Sequence, residues 1–202
     1  MVEEFIGRGP QHRSSPSVEL FVDQEGKCRV THVSSQILDD DGAFCGVLIG
    51  KGAVSARARY AISRAAKAIG ERYAALGYRG IFDVDFVASR HRQHYAVETN
   101  ARRTGGTHVF DFATFVFGKR WFGQVACLSS DWVRYRGSIL TADELLRKVD
   151  RLRLRPPHLK EGIVITSVSV GESIFGVIIA AKTKARAARL YGQLLRIMNS
   201  PL

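Results

Sequence analysis

GIFDVDFVASRHRQHYAVETNARRTGGTH, from Gly80 to His108, is the most informative segment of this 202-residue chain for its fold. Its first part alternates apolar and acidic residues, as expected for a strand with one buried face. The apolar face consists of Phe82, Val84, Phe86 and Ala88. The other face carries Asp83 and Asp85. A second strand follows after a polar turn, so this stretch predicts an antiparallel hairpin.

The second strand places Glu98, Asn100 and Arg102 on one face. If Arg90–Gln93 forms the turn, Asp85 lies opposite Glu98, and Asp83 lies opposite Asn100. Facing side chains are roughly 5 Å apart at Cβ, so facing carboxylates repel each other unless a cation lies between them. Carboxylate and amide oxygens are ligands that suit Mg²⁺. The hairpin therefore predicts a Mg²⁺ site, and a solvated hairpin face is the alternative.

The residues after the hairpin are suited to anions. Arg102 and Arg103 are followed by T-G-G-T, which contains Gly105 and Gly106 and opens a predicted helix over Thr107–Phe117. Backbone N–H groups at the start of a helix attract anions. His108 near this start is either a phosphate contact or a structural histidine.

Composition predicts a globular protein, because 46% of the residues are hydrophobic and 24% are charged. No apolar run approaches the ~20 residues that cross a membrane. Cys28, Cys45 and Cys127 are odd in number and widely spaced, so they indicate neither a disulfide framework nor a zinc site. We therefore expect a cytoplasmic protein. The net charge of +11 favours anionic partners, but the basic residues are dispersed and form no nucleic-acid-binding motif.

Helix and strand signals continue on both sides of the hairpin. Upstream, the pattern predicts strands over Ser17–Val22 and Cys28–Leu38 and a helix over Ser55–Leu76 that ends before Gly77. Downstream, it predicts a helix over Ala142–Asp150 capped by Thr141, strands over Gly162–Val170 and Ser173–Ala180, and a helix over Thr183–Met198. The aromatic and basic stretch Lys119–Gly137 receives no assignment.

In this order of elements, the chain resembles the C-terminal half of ATP-grasp ligases. E-T-N-A-R-R-T-G-G-T-H looks most like the pheganomycin-type peptide ligases. The resemblance implies Mg²⁺ bound by Asp85, Glu98 and Asn100 under the phosphates of ATP. It also implies that Arg102 and Arg103 meet the transferring phosphoryl or acyl group. Backbone amides around Gly105 and Gly106 would bind the acyl phosphate or the substrate carboxylate.

The opening V-E-E-F-I looks like the hinge of these enzymes, which holds adenine through backbone hydrogen bonds. By this resemblance, Glu3, Glu4, Phe5 and Ile6 would bind the nucleotide, with Glu3 or Glu4 near the ribose. The implied fold class is α+β. Residues 1–118 would form the Mg²⁺- and ATP-binding subdomain, an antiparallel sheet packed by helices, and residues 119–202 a small α/β extension.

ATP-grasp enzymes clamp ATP between two lobes, and the lysine-bearing first lobe has no counterpart in this sequence. Lys51 lies in L-I-G-K-G-A, which lacks the spacing of a phosphate-binding loop. We therefore expect a fragment, one half of a split enzyme completed by a separate N-terminal lobe, or a degenerate copy.

The resemblance implies an ATP-dependent ligase that joins a small-molecule or peptide carboxylate to an amine through an acyl phosphate. Two alternatives remain open. One is a non-catalytic ATP-grasp descendant, and the other is a basic RNA-binding protein.

Overall fold

The computed structural model describes residues 6, 15–39, 41–89, 93–135, 141–157 and 161–199. Within them, eight strands, paired antiparallel, and four α-helices confirm the predicted α+β class. The strands are β1 (Ser15–Val22), β2 (Cys28–Leu38), β3 (Phe44–Gly50), β4 (Gly80–Ala88), β5 (His94–Asn100), β6 (Ala126–Arg134), β7 (Gly162–Ser169) and β8 (Ile174–Ala181). The α-helices are α1 (Ala56–Ala75), α2 (Thr107–Phe117), α3 (Ala142–Lys148) and α4 (Lys184–Asn199). None of these helices is long and apolar enough to cross a membrane.

The chain divides into two compact units. The first combines Met1–Phe44 with Ala53–Phe110, and the second combines Cys45–Gly52 with Asp111–Leu202. In the first unit, β1 pairs with both β2 and β4, and β4 pairs with β5, giving the strand order β5-β4-β1-β2. The predicted division at residue 118 stays a prediction.

Helix α1 covers the apolar face of the first unit's sheet. The side chain of Ser55 accepts a hydrogen bond from the backbone N–H of Ala58, and Leu76 caps the other end. Gly77 follows with φ of 91°, a conformation that glycine adopts without steric cost. Apolar side chains of β1, β4 and α1 form the core under this helix, among them Val18, Leu20, Phe82, Val84, Phe86, Ile62 and Ala66. The predicted helix over Ser55–Leu76 is therefore confirmed, and its packing leaves the acidic face of β4 on the other side of the sheet.

The second unit has its own hydrophobic core. Its strands follow the order β3-β6-β8-β7. Buried residues of β8 pack with Ala187, Leu190, Leu194 and Met198, which recur at helical spacing on α4. Thr141 and Glu144 form the predicted capping box of α3. The predicted strand pair and terminal helix of this region are thus confirmed.

Two strands, β3 and β6, have no counterpart among the predicted elements. Strand β3 contains Gly46 and Gly50, and glycines inside a strand weaken the sequence signal. The tertiary structure explains Gly46, because a Cβ there would lie 2.0 Å from the carbonyl oxygen of Ser129 on β6. Strand β6 lies within the stretch that received no assignment.

Candidate metal and phosphate site

The antiparallel hairpin of β4 and β5 forms the predicted acidic face. Asp85 pairs with Glu98, and Asp83 pairs with Asn100, which confirms these two predicted pairs. The register shifts between Asp85 and Phe86, which the sequence did not predict. The side-chain Nδ2 of Asn100 donates to Oδ2 of Asp85 at 3.3 Å. Three carboxylates and one amide are therefore gathered on one face of the sheet, and we refer to these four side chains as the acid quartet.

The two aspartates of the quartet are buried, whereas Glu98 is exposed. Asp83 is 4% exposed and Asp85 is 7% exposed. The alternative of a solvated hairpin face is therefore wrong for β4. Its aspartates project from the face opposite the apolar core, and they are nevertheless buried. The exposure of Glu98 on the edge strand β5 agrees with that alternative.

Burial changes the acidity of both aspartates. Burial, with a smaller contribution from the charge of Asp85, raises the pKa of Asp83 to about 6, although hydrogen bonds from Asn100, Ser17 and Thr104 oppose the rise. The pKa of Asp85 is also raised, mainly by burial, with a smaller contribution from Glu98. Both shifts show that the protein alone compensates these negative charges incompletely.

One oxygen on each aspartate makes no hydrogen bond. Asp83 Oδ1 and Asp85 Oδ1 are buried without a partner among the described residues. Such an atom destabilises the folded protein unless a ligand completes its interactions. Oxygens of this kind fit a hard cation such as Mg²⁺. No group of three or more His, Cys, Asp or Glu side chains in the described ranges could by itself hold a metal ion. Amide, phosphate or water oxygens would therefore have to complete the coordination shell.

Arg102 lies next to the acid quartet. Its NH2 group donates to Oδ1 of Asn100 at 3.3 Å, and its NH1 group donates to the carbonyl oxygen of Arg103 at 3.2 Å. Arg102 therefore holds the amide oxygen that the family resemblance assigns to the metal, and a cation bound there would replace this contact. Both arginines are exposed, so their side chains are accessible to an incoming phosphate. Their catalytic role stays a prediction.

A second buried polar cluster, which the sequence analysis does not anticipate, anchors the T-G-G-T turn. Glu19 on β1 is 3% exposed, and its carboxylate accepts hydrogen bonds from Thr31, Thr104 and Thr107. The contact between Glu19 and Thr107 joins residues 88 positions apart in the sequence. The sequence indicates Glu19 only by its place in β1, where it lies between the apolar residues Val18 and Leu20 and therefore projects from the opposite face. This cluster positions the start of α2.

Gly105 in the T-G-G-T turn lies close to the ring of Phe44. A Cβ at this position would lie 2.7 Å from Cζ of Phe44. The backbone N–H of Thr107 donates to the carbonyl oxygen of Thr104 at 3.1 Å, which closes the turn. Gly105 and Gly106 lie in the turn that follows Thr104, whose side chain hydrogen-bonds to Asp83 of the acid quartet. Their predicted role in binding a phosphate or carboxylate stays a prediction.

His32 on β2 belongs to the same buried cluster. Its Nδ1 lies 3.4 Å from Oε1 of Glu19, and its ring stacks on Phe110 with centroids 5.0 Å apart. Burial lowers the pKa of His32 to about 4. The histidine is therefore neutral at physiological pH and acts as a structural part of the cluster.

The predicted nucleotide hinge falls mostly outside the described residues. Glu3, Glu4 and Phe5 lie outside them, and Ile6 is the described residue of that segment. Their predicted contacts with adenine and ribose stay predictions.

A cavity of about 760 Å³ lies elsewhere in the first unit. It is lined by residues around the start of α1 and by the end of the hairpin, among them Val54, Arg57, Ile62, Phe86 and His94. None of the acid quartet lines it. The cavity is thus on the side of the sheet that α1 covers, and we assign the candidate site to the opposite, acidic face.

Known proteins resemble this chain in sequence over part of its length and in fold over most of it. No family model matches the chain. The chain is 34% identical over 120 residues to the L-propargylglycine--L-glutamate ligase of Streptantibioticus cattleyicolor, covering 59% of this chain and 23% of the relative. The chain therefore spans about a quarter of the length of this curated relative.

Solved structures share the fold over most of the chain. The biotin carboxylase of Campylobacter jejuni, solved as a β-γ-ATP complex, has a TM-score of 0.60 at 13% identity, covering 89% of this chain and 44% of that one. The biotin carboxylase domain of Hydrogenobacter thermophilus 2-oxoglutarate carboxylase, solved with MgADP, has a TM-score of 0.61 at 12% identity, covering 90% and 44%. At this identity the likeness shows the fold alone. The curated ligase and the structures with the same fold point to an ATP-grasp ligase, of which this chain resembles a C-terminal part.

Proposed function

We propose that this chain is the Mg²⁺- and ATP-binding part of an ATP-dependent carboxylate–amine ligase. The observation that carries the proposal is the pair of buried, unpartnered oxygens on Asp83 and Asp85, on the same face as Glu98 and Asn100. A ligase that joins amino acids is among its relatives, and ATP-site ligands occur in structures with the same fold. These findings favour neither the non-catalytic alternative nor RNA binding.

The reaction would proceed through an acyl phosphate. The substrate carboxylate would attack the terminal phosphoryl group of ATP and displace ADP. The amine would then attack the acyl carbon, displace phosphate and lose a proton to give the amide. Phosphoryl transfer depends mainly on positioning and on neutralising charge at the phosphate oxygens. Mg²⁺, when bound, would supply part of this neutralisation.

The residues of the site would divide this work. Asp85, Glu98 and Asn100 would hold the cation. The guanidinium groups of Arg102 and Arg103 would bind oxygens of the transferring group through charge-assisted hydrogen bonds. The Thr104–Thr107 turn, anchored by Glu19, would present backbone N–H groups to the same anion.

A small-molecule or peptide carboxylate and an amine would be the substrates. A separately encoded N-terminal lobe is the further partner we propose, because ATP-grasp enzymes close two lobes over the nucleotide. Without that lobe, we expect the chain to bind Mg-ATP weakly and to turn over little substrate.

The test compares thermal melts with and without Mg²⁺ for the parent and for Glu98→Gln. A ligand that binds only the folded state stabilises it by mass action, about 1.4 kcal/mol at ten times the dissociation constant. We expect Mg²⁺ to raise the melting temperature of the parent and to leave that of Glu98→Gln nearly unchanged.

Glu71→Gln is the matched control for this experiment. Glu71 is an exposed acid on α1, where its carboxylate lies 3.6 Å from the Lys67 ammonium. The same loss of charge on α1, which covers the apolar face of the sheet, should leave the Mg²⁺ shift intact. Equal Mg²⁺ shifts in the parent and in Glu98→Gln would remove Glu98 from the site.

A further inference from the structure

The cavity of about 760 Å³ in the first unit lies outside the site to which we assign the proposed function. It is enclosed by the start of α1 and by residues of β1, β4 and β5, and its described lining residues all belong to the first unit. We refer to it as the α1 cavity. Pockets that bind small organic molecules have volumes of about 300–1,000 Å³, so the α1 cavity is large enough for a ligand of this kind.

The α1 cavity exists because the side of α1 that faces the sheet carries small side chains. Ala58, Ala61 and Ala65 recur at helical spacing and line the cavity. Ile62, which lies between them in sequence, is buried against the core of the first unit. Since an alanine side chain is a single methyl group, these three positions leave the space between helix and sheet unfilled.

Two aromatic side chains of the sheet line the same cavity. Phe86 on β4 is 1% exposed, whereas Tyr95 on the edge strand β5 is 43% exposed. Aromatic rings pair favourably with other rings in offset or edge-to-face geometry. An aromatic group in the α1 cavity would therefore contact Phe86 and cover part of the ring of Tyr95.

The charged group at the α1 cavity is suited to an anion. Arg57 is exposed and lines the cavity, and within the described ranges its guanidinium forms no ion pair with a carboxylate. No Asp or Glu occurs among the described residues that line the cavity. The first turn of α1 has no acidic residue either, so its backbone N–H groups add positive potential at the same end of the helix.

The amount of positive charge favours a carboxylate over a phosphate. A single guanidinium balances one negative charge, whereas a phosphate monoester carries nearly two at neutral pH. A carboxylate also matches the planar guanidinium with two parallel hydrogen bonds. The apolar walls and the one arginine therefore define a ligand that has an aromatic body and one carboxylate.

We propose that the α1 cavity binds an aromatic monocarboxylate, with its ring between the alanines of α1 and the two aromatic side chains of the sheet, and its carboxylate on Arg57. The inference goes beyond the proposed function and does not rest on it, because the cavity and the acid quartet are on opposite faces of the sheet. Binding at the α1 cavity needs neither Mg²⁺ nor ATP.

The experiment titrates naphthylacetate, and separately its neutral analogue naphthylacetamide, into the chain without Mg²⁺ or nucleotide and follows binding by calorimetry. The parent should bind the acid about fivefold more tightly than the amide, because only the acid forms an ion pair with Arg57. Arg57→Gln should bind the two probes equally. Arg59→Gln removes the same charge from a residue of α1 that does not line the cavity, so this control should keep the preference of the parent.

A second pair of variants tests the location of the ligand. Ala58→Leu fills part of the α1 cavity and should weaken the binding of both probes by about tenfold or more, while leucine retains a high helix propensity. Ala75→Leu adds the same side chain at an exposed position at the other end of α1, and this control should bind as the parent does. Circular dichroism checks that Ala58→Leu folds, and Ala61→Leu replaces it in the titration if it does not.

Three results would overturn the proposal. If the parent binds neither probe, the α1 cavity does not take an aromatic carboxylate. If the parent binds acid and amide equally, Arg57 does not recognise a carboxylate. If the acid binds equally to the parent, Arg57→Gln and Ala58→Leu, it binds elsewhere on the chain. In each case the Mg²⁺ shift in thermal melts still decides the proposed function by itself.

Discussion

His32 offers a direct test of how completely the first unit buries its polar cluster. Its ring lies between Phe110 and the Glu19 carboxylate, and it is 4% exposed. Burial disfavours the charged imidazolium, and this lowers the pKa of His32 from 6.5 to about 4. The unfolded chain therefore binds a proton at this site at higher pH than the folded chain does.

The sign of the effect follows from this difference. The contribution of neutral His32 to the free energy of unfolding is fully present above pH 6.5. It is lost as the pH falls toward 4, because the unfolded chain binds more protons than the folded chain in that range. A pKa of about 4 in place of 6.5 corresponds to about 3 kcal/mol once the pH is below both values. At pH 5 the loss from His32 alone is about 2 kcal/mol.

Two measurements check this prediction. Urea unfolding of the parent and of His32→Gln at pH 8 and pH 5 should show a loss of stability about 2 kcal/mol larger in the parent. A nuclear magnetic resonance titration, with the His32 signal assigned by its absence in the variant, should show no protonation of His32 at pH 6. A pKa at or above 6.5 would refute the reasoning, because the Glu19 charge would then outweigh burial.

Three further substitutions test the packing and the helix ends, each measured by chemical unfolding. Gly70→Ala should destabilise the protein by about 1–3 kcal/mol, because the added Cβ would lie 2.4 Å from Sγ of Cys28. Gly192→Ala in the interior of α4 is its matched control and should stabilise by about 0.5–1 kcal/mol, since the nearest atom to its Cβ is a flexible side-chain nitrogen at 3.9 Å. Destabilisation of equal size in both variants would contradict the packing argument. Thr141→Ala should cost about 1 kcal/mol by removing the N-cap of α3, and an unchanged midpoint would show that this helix does not need its cap.

The sequence was enough to predict which side chains share a face of the hairpin, because the alternation of Phe82, Val84 and Phe86 with the aspartates is a property of any extended strand. It did not reveal the register shift between Asp85 and Phe86. This irregularity, which is typical of a β-bulge, brings Glu98 opposite Asp85 although Ala88 already pairs with His94. The ends of α1 could also be predicted from the sequence, because Ser55 and Gly77 influence only the helix turn next to them.

Contacts between distant residues decided what the sequence pattern left open. The alternation in β4 shows that Asp83 points away from the apolar core. Whether water reaches that face depends on Ser17, which is 66 residues away in the sequence, and on the turn that Glu19 anchors. Strands β3 and β6 escaped prediction for the same reason, since Gly46 is explained only by the approach of Ser129. The burial of a carboxylate and the choice of its hydrogen-bond partners are set only when the sheet assembles. Burial then removes water from the carboxylate, and its remaining hydrogen bonds must come from residues distant in sequence.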